Sequence, residues 1–77
     1  MIASPVYEEI IDFLAAGTTP DAIISFRPSQ DAKERVEDLI RREKTSSLSV
    51  EDADELNHYM QLEHIMRLAK IRARQYL

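Results

Sequence analysis

No cysteine occurs in the 77-residue sequence. A disulfide framework is therefore excluded, and so is a thiolate metal site. Glycine occurs once, at position 17, so there is no glycine-rich loop to cradle a phosphate. Aromatic side chains are sparse: Tyr7, Tyr59 and Tyr76 are too widely spaced for a base-stacking platform. Met1, Met60 and Met66 are too few to build a promiscuous methionine groove. No apolar run approaches the roughly 20 residues of a membrane helix, and the first residues lack the basic-then-apolar pattern of a signal peptide. The expectation is a soluble, cytoplasmic protein with no membrane association.

Acidic residues are missing from one region only. Residues 1–66 hold all fourteen acids and six bases, net −8, whereas residues 67–77 hold Arg67, Lys70, Arg72 and Arg74 and no acid, net +4. Cations at a helix C-terminus match the negative end of the helix dipole. A basic patch for nucleic acid is the sharper alternative, but four charges are few for tracking phosphates and the acidic remainder opposes it.

What the chain does contain is helix punctuation. Ser4-Pro5 reads as a cap followed by proline at the first helical position. Val6, Ile10, Phe13 and Leu14 follow at helical spacing, widened by Tyr7 and Ile11, and Gly17 sits where a left-handed C-terminal cap belongs. Thr19-Pro20-Asp21 repeats the start signal. It opens a short helix whose Ile23, Ile24 and Phe26 are expected to tuck against neighbours, setting the angle between the flanking helices. Arg27-Pro28 ends it.

Ser29 caps a third helix with Ala32, Val36, Leu39 and Ile40 as a narrow apolar stripe. Its other side is charged, with Glu37–Arg41 and Asp38–Arg42 in the favourable i, i+4 order. Lys44-Thr45-Ser46-Ser47 is a linker without glycine, so its turn should use ordinary backbone angles.

The final helix begins at Ser49, with Asp52 placed to reciprocate in a capping box and Leu48 and Ala53 at the staple positions. At about 100° per residue it carries two apolar faces. Tyr59, Leu62, Met66, Ala69, Ala73 and Leu77 form one. Met60, Leu68 and Ile71 form the other, with Ala53 and His64 beside them, and Ile65 lies between the two. Glu63, Arg67, Lys70 and Arg74 fill the remaining wedge. A surface helix needs a single apolar stripe. At about 1.5 Å per residue this helix also spans roughly 43 Å, longer than the roughly 30 Å width of a domain this small. One face and the distal end are therefore expected to need another chain, unless the helix bends back over its own core.

The sequence predicts an all-α single domain of three to four helices, about 5–16, 20–26, 30–44 and 50–76, with the last two forming a helical hairpin. Catalytic chemistry is not expected. Glu55-x-x-His58 has the spacing of a bundle metal site, but no second copy of the motif exists, and His64 lies on a different side of the helix from His58. No cofactor or metal is expected, and the serines are explained as caps and turns.

The run Glu34-Arg35-Val36-Glu37-Asp38-Leu39-Ile40, then Arg42-Glu43-Lys44, Leu48-Ser49 with Glu51, Glu55-Leu56, Leu62-Glu63-His64 and Arg67-Leu68-Ala69-Lys70 with Ala73-Arg74 resembles a family of short bacterial antitoxin-like all-helical proteins. Their last helix follows an LEHxxRLAKxRA pattern, and related sequences often lie beside small nuclease-like genes of toxin type. The resemblance covers roughly residues 30–75. It implies a non-enzymatic partner-binding protein that holds a toxin inactive. Relatives often carry Gly where this chain has Thr45-Ser46-Ser47, and no separate DNA-binding module such as a ribbon-helix-helix is visible. The expected partners are a second copy, as a homodimer, or a toxin-like protein encoded nearby. The alternative is a homo-oligomeric scaffolding protein. The expected binding residues are Met60, His64, Leu68 and Ile71, with Arg67 and Arg74 as rim charges.

Overall fold

A computed structural model describes residues 5–77. The fold is all-α: α1 (Glu8–Ala15), α2 (Pro20–Ser25), α3 (Gln30–Thr45) and α4 (Val50–Ala73), followed by a 3₁₀ turn over Arg74–Tyr76. The described residues fill an elongated body of 44 × 27 × 19 Å with a radius of gyration of 13.9 Å. No helix among them is long and apolar enough to cross a membrane.

The caps fall largely where the sequence puts them. The side chains of Thr19, Ser29 and Ser49 accept from the backbone N–H groups of Ala22, Ala32 and Asp52. Each satisfies one of the orphan donors at a helix start. Gly17 adopts φ +86°, the left-handed cap expected of it. The 44–47 linker has no positive φ, and Ser46 closes α3 in an extended conformation.

Several expectations fail at the helix ends. The first helix starts at Glu8 rather than at Pro5, because Pro5–Tyr7 forms a turn closed by Glu8 N–H donating to the Pro5 carbonyl at 3.1 Å. Ser4 lies outside the described residues. Asp52 does not complete a capping box, since its carboxylate goes instead to Arg35 and Arg42 on α3. Ala53 is exposed, so no staple forms. The last α-helix stops at Ala73 and tightens into the 3₁₀ turn, which leaves Leu77 exposed rather than on the core face.

The core is one cluster: Val6 and Ile10 from the N-terminal segment, Ala32, Val36 and Leu39 from α3, and Leu56, Tyr59 and Met66 from α4. α3 and α4 form the expected hairpin. Arg35 donates from Nη2 to Asp52 at 3.0 Å and to Glu55 at 2.9 Å, and Arg42 Nη1 reaches Asp52 at 3.1 Å. The N-terminal segment meets α4 in ascending order along both: the Val6 N–H donates to Glu55 at 3.0 Å, the Tyr7 ring sits 5.3 Å from that of His58, and Ile10 shares a groove and the core cluster with Tyr59 and Met66.

The short α2 packs across the distal half of α4 and onto the 3₁₀ turn, with Ile23 and Phe26 tucked against the core as expected. The Phe26 ring packs tilted against that of Phe13, centroids 4.6 Å apart, and Lys70 Nζ donates to the Phe26 carbonyl at 2.9 Å. The distal end of α4 is thus covered on its inner side by this chain, so only its outer side is left open.

Candidate functional site

The two faces of α4 separate cleanly. Leu56, Tyr59, Met66 and Ala73 are buried, with Leu62 and Ala69 half-buried beside them. The other face turns outward: Met60 is 48% exposed, Ile65 52%, Leu68 53% and Ile71 58%. Scattered exposed apolar side chains are ordinary, whereas these four lie together on one helix. Met60, His64, Leu68 and Ile71 follow at i, i+4, i+8 and i+11, so the band runs unbroken along the helix.

His64 is exposed among these side chains. Arg67 and Arg74 are exposed, Arg67 at the rim of a groove with Ile10, Phe26 and Pro28, and Arg67 Nη2 pairs with Glu63 Oε1 at 2.6 Å. All six residues expected to bind a partner are therefore solvent-exposed on α4 or its final turn. Lys70, from the same basic group, turns inward to α2. Burial and the nearby Arg27 lower its pKa below the ordinary lysine value.

The structure adds three residues that the sequence did not assign to this surface. Ile65 joins the band instead of separating two faces. On α1, Ile11 and Leu14 are exposed, although Leu14 was expected inside. They follow Tyr7 at i+4 and i+7, so they lie on the flank of α1 that Tyr7 turns to His58. Ile65 lies seven residues after His58, on the same side of α4. The band thus widens from α4 onto the neighbouring flank of α1. The signal for this was the Tyr7–Ile11–Leu14 spacing, which reads as part of a broad core face until the direction of α1 is known.

A second concave region lies between α1 and α3 and is lined by Glu8, Glu9, Asp12, Asp31, Arg35 and Glu55 among others. Three of its carboxylates have structural work, Asp52 through Arg35 and Arg42 as described above. Glu9 accepts from both the backbone N–H and the hydroxyl of Ser29, which lowers its pKa and ties α1 to the start of α3. Glu55 is held below the usual carboxylate range, first by the Arg35 hydrogen bond and then by the Val6 N–H, against the opposing effect of burial. The Arg35 guanidinium is raised in return, chiefly by Glu55. The Glu55-x-x-His58 pair does not converge on one point: Glu55 faces Arg35, while His58 Nδ1 lies 2.7 Å from its own helix's Asp54 carbonyl. Among the described residues no three or more His, Asp or Glu side chains gather where they could hold a metal.

No family model, curated protein or solved structure matches this chain.

Proposed function

We propose that this chain is a non-enzymatic protein-binding module whose docking surface is the outward face of α4. In its specific form the reading is antitoxin-like: the chain, alone or as a homodimer, holds a small toxin encoded beside it inactive. One observation carries the binding reading, the unbroken half-exposed band of Met60, Ile65, Leu68 and Ile71 on a helix already anchored on its opposite side. Burial of those side chains supplies most of the affinity, at roughly 25 cal/mol per Å² of apolar surface. Arg67 and Arg74 set orientation and encounter rate more than strength. The antitoxin form is supported by the resemblance over roughly residues 30–75.

The test replaces Leu68 and Ile71 with Glu together. Helicity and melting temperature of the isolated chain are expected to hold, while binding to the product of the adjacent gene disappears. Expression of that neighbour alone should arrest growth, co-expression with the wild-type chain should relieve the arrest, and co-expression with the double variant should not. A double variant that unfolds would show that both side chains belong to the core, ending the reading.

A further inference from the structure

We infer that the band on α4 seats a second copy of this chain, the two α4 helices lying antiparallel about a two-fold axis on the outward face, level with position 63 along the helix. The inference rests on the binding reading above and names its occupant. It follows from how charge is laid along the outward face. Glu51 and Asp54 are exposed near the start of α4, and Arg72 and Arg74 are exposed at its end. None of the four makes an ion pair among the described residues. The other acids of the first turns, Asp52 and Glu55, are already engaged by Arg35 and Arg42. The face is therefore acidic at one end, apolar in the middle and basic at the other.

A surface with that layout is complementary to itself in one orientation only. Two parallel copies set acid on acid and base on base. Two antiparallel copies set each acidic end against the partner's basic end. The spacing sharpens the match. Asp54 and Arg72 are eighteen residues apart, which is five full turns at about 3.6 residues per turn, so both project in the same direction. Their midpoint is residue 63. A two-fold there brings Asp54 of each copy to the partner's Arg72, forming two equivalent pairs that flank Ile65 and Leu68. Closed two-fold pairing is also the commonest assembly of soluble chains.

The face is about 36 Å long and one helix, about 10–12 Å, wide. That is roughly 400 Å² per copy, below the roughly 800 Å² of a standard interface. The flank of α1 with Ile11 and Leu14 broadens it. The pair is therefore reversible on dilution, and its rim charges register in the measured dissociation constant.

The experiment is sedimentation equilibrium on the full chain at low ionic strength over a wide concentration range, comparing wild type with Asp54→Arg, Arg72→Asp and the double reversal. Circular dichroism checks that each variant keeps its helicity. The wild type is expected to dimerise, and each single reversal to weaken dimerisation about tenfold. The double reversal should return to within about threefold of wild type, because the pairs re-form with their signs exchanged. Orientation is read separately from a spin label on Glu51→Cys, the only thiol in the chain. Antiparallel helices place the two labels about 36 Å apart along the axis, at about 1.5 Å per residue, and parallel helices about 10 Å. A wild type that stays monomeric throughout, a double reversal weaker than either single, or a short label distance each overturns the inference. If the wild type is monomeric yet Leu68→Glu abolishes capture of the neighbouring gene's product, self-pairing falls and the binding face stands. If Leu68→Glu unfolds the monomer, both fall.

Discussion

Arg35 on α3 grips Glu55 on α4 with two donors, Nη2 to Oε1 at 2.9 Å and Nε to Oε2 at 3.2 Å, while the same Oε2 accepts the Val6 N–H at 3.0 Å. One carboxylate thereby holds three segments together: the entry to α1, the middle of α3 and the first half of α4. The guanidinium is more than a third exposed, so its charge is partly screened by solvent.

Acid stability is expected to depend on Glu55. Its folded pKa lies below the ordinary value, against about 4.3 for an unfolded glutamate. Its contribution is fully present above that unfolded value and is lost as pH falls through the depressed folded one. Glu55→Gln should cost about 1 kcal/mol at neutral pH and leave a shallower loss of stability below about pH 4. Urea melts of wild type and variant across pH 2.5–7 provide the measurement. Parallel acid limbs would show that Arg35–Glu55 adds nothing net.

The two sides of α4 and its neighbours should answer truncation differently. Leu39 is 0% exposed at the centre of the α3–α4 contact. Leu39→Ala should destabilise by about 2–5 kcal/mol through lost transfer energy and the cavity left behind. Leu68→Ala removes a side chain that is 53% exposed, and should change the stability of the monomer by less than about 0.5 kcal/mol. Chemical denaturation at concentrations too low for assembly checks both values, and equal losses would place Leu68 in the core.

Gly17 isolates a backbone effect. At φ +86° an added Cβ meets nothing within 4 Å, so substitution brings no clash with neighbours, only the strain of a left-handed L-residue. Gly17→Ala should cost about 1–2 kcal/mol. Gly17→Asn should cost less, because Asn tolerates this region better. Thermal melts of the two variants check the order. An alanine variant as stable as wild type would mean that the α1–α2 turn can relax to negative φ.

Much of this architecture is written in short-range signals. The caps at Thr19, Ser29 and Ser49, the glycine after α1, the α3 stripe and the doubled apolar pattern of α4 depend on residues within a turn or two of each other, and they are legible one window at a time. What was not legible depends on who lies opposite. Within α3 the Asp38–Arg42 pair forms at 3.1 Å as its spacing predicts, and Asp38 also takes Arg41 at 2.8 Å, which the spacing assigned to Glu37. Asp52 could serve its own helix or α3, and local spacing cannot weigh that choice. The docking of α2 on distal α4, and with it the shift of Leu14 to the surface, depends on the direction α1 takes across the core. No periodicity within α1 encodes that direction. For the candidate site, the outward residues of α4 were legible as surplus apolar surface, whereas the contribution of α1 required the Tyr7–His58 contact.

The position of α2 also bears on the order in which the molecule assembles. The ion pairs of the hairpin join residues 10 to 20 apart, whereas Phe26–Lys70 and Val6–Glu55 join residues 44 and 49 apart. Each doubling of a loop adds about 0.6 kcal/mol of closure entropy, and long-range contacts slow folding. The last two helices can therefore meet early, and the N-terminal half closes over them afterwards. The segment from Val6 to Phe26 thus gains its fixed place only once the long helix is there to receive the Val6 N–H and to supply Lys70.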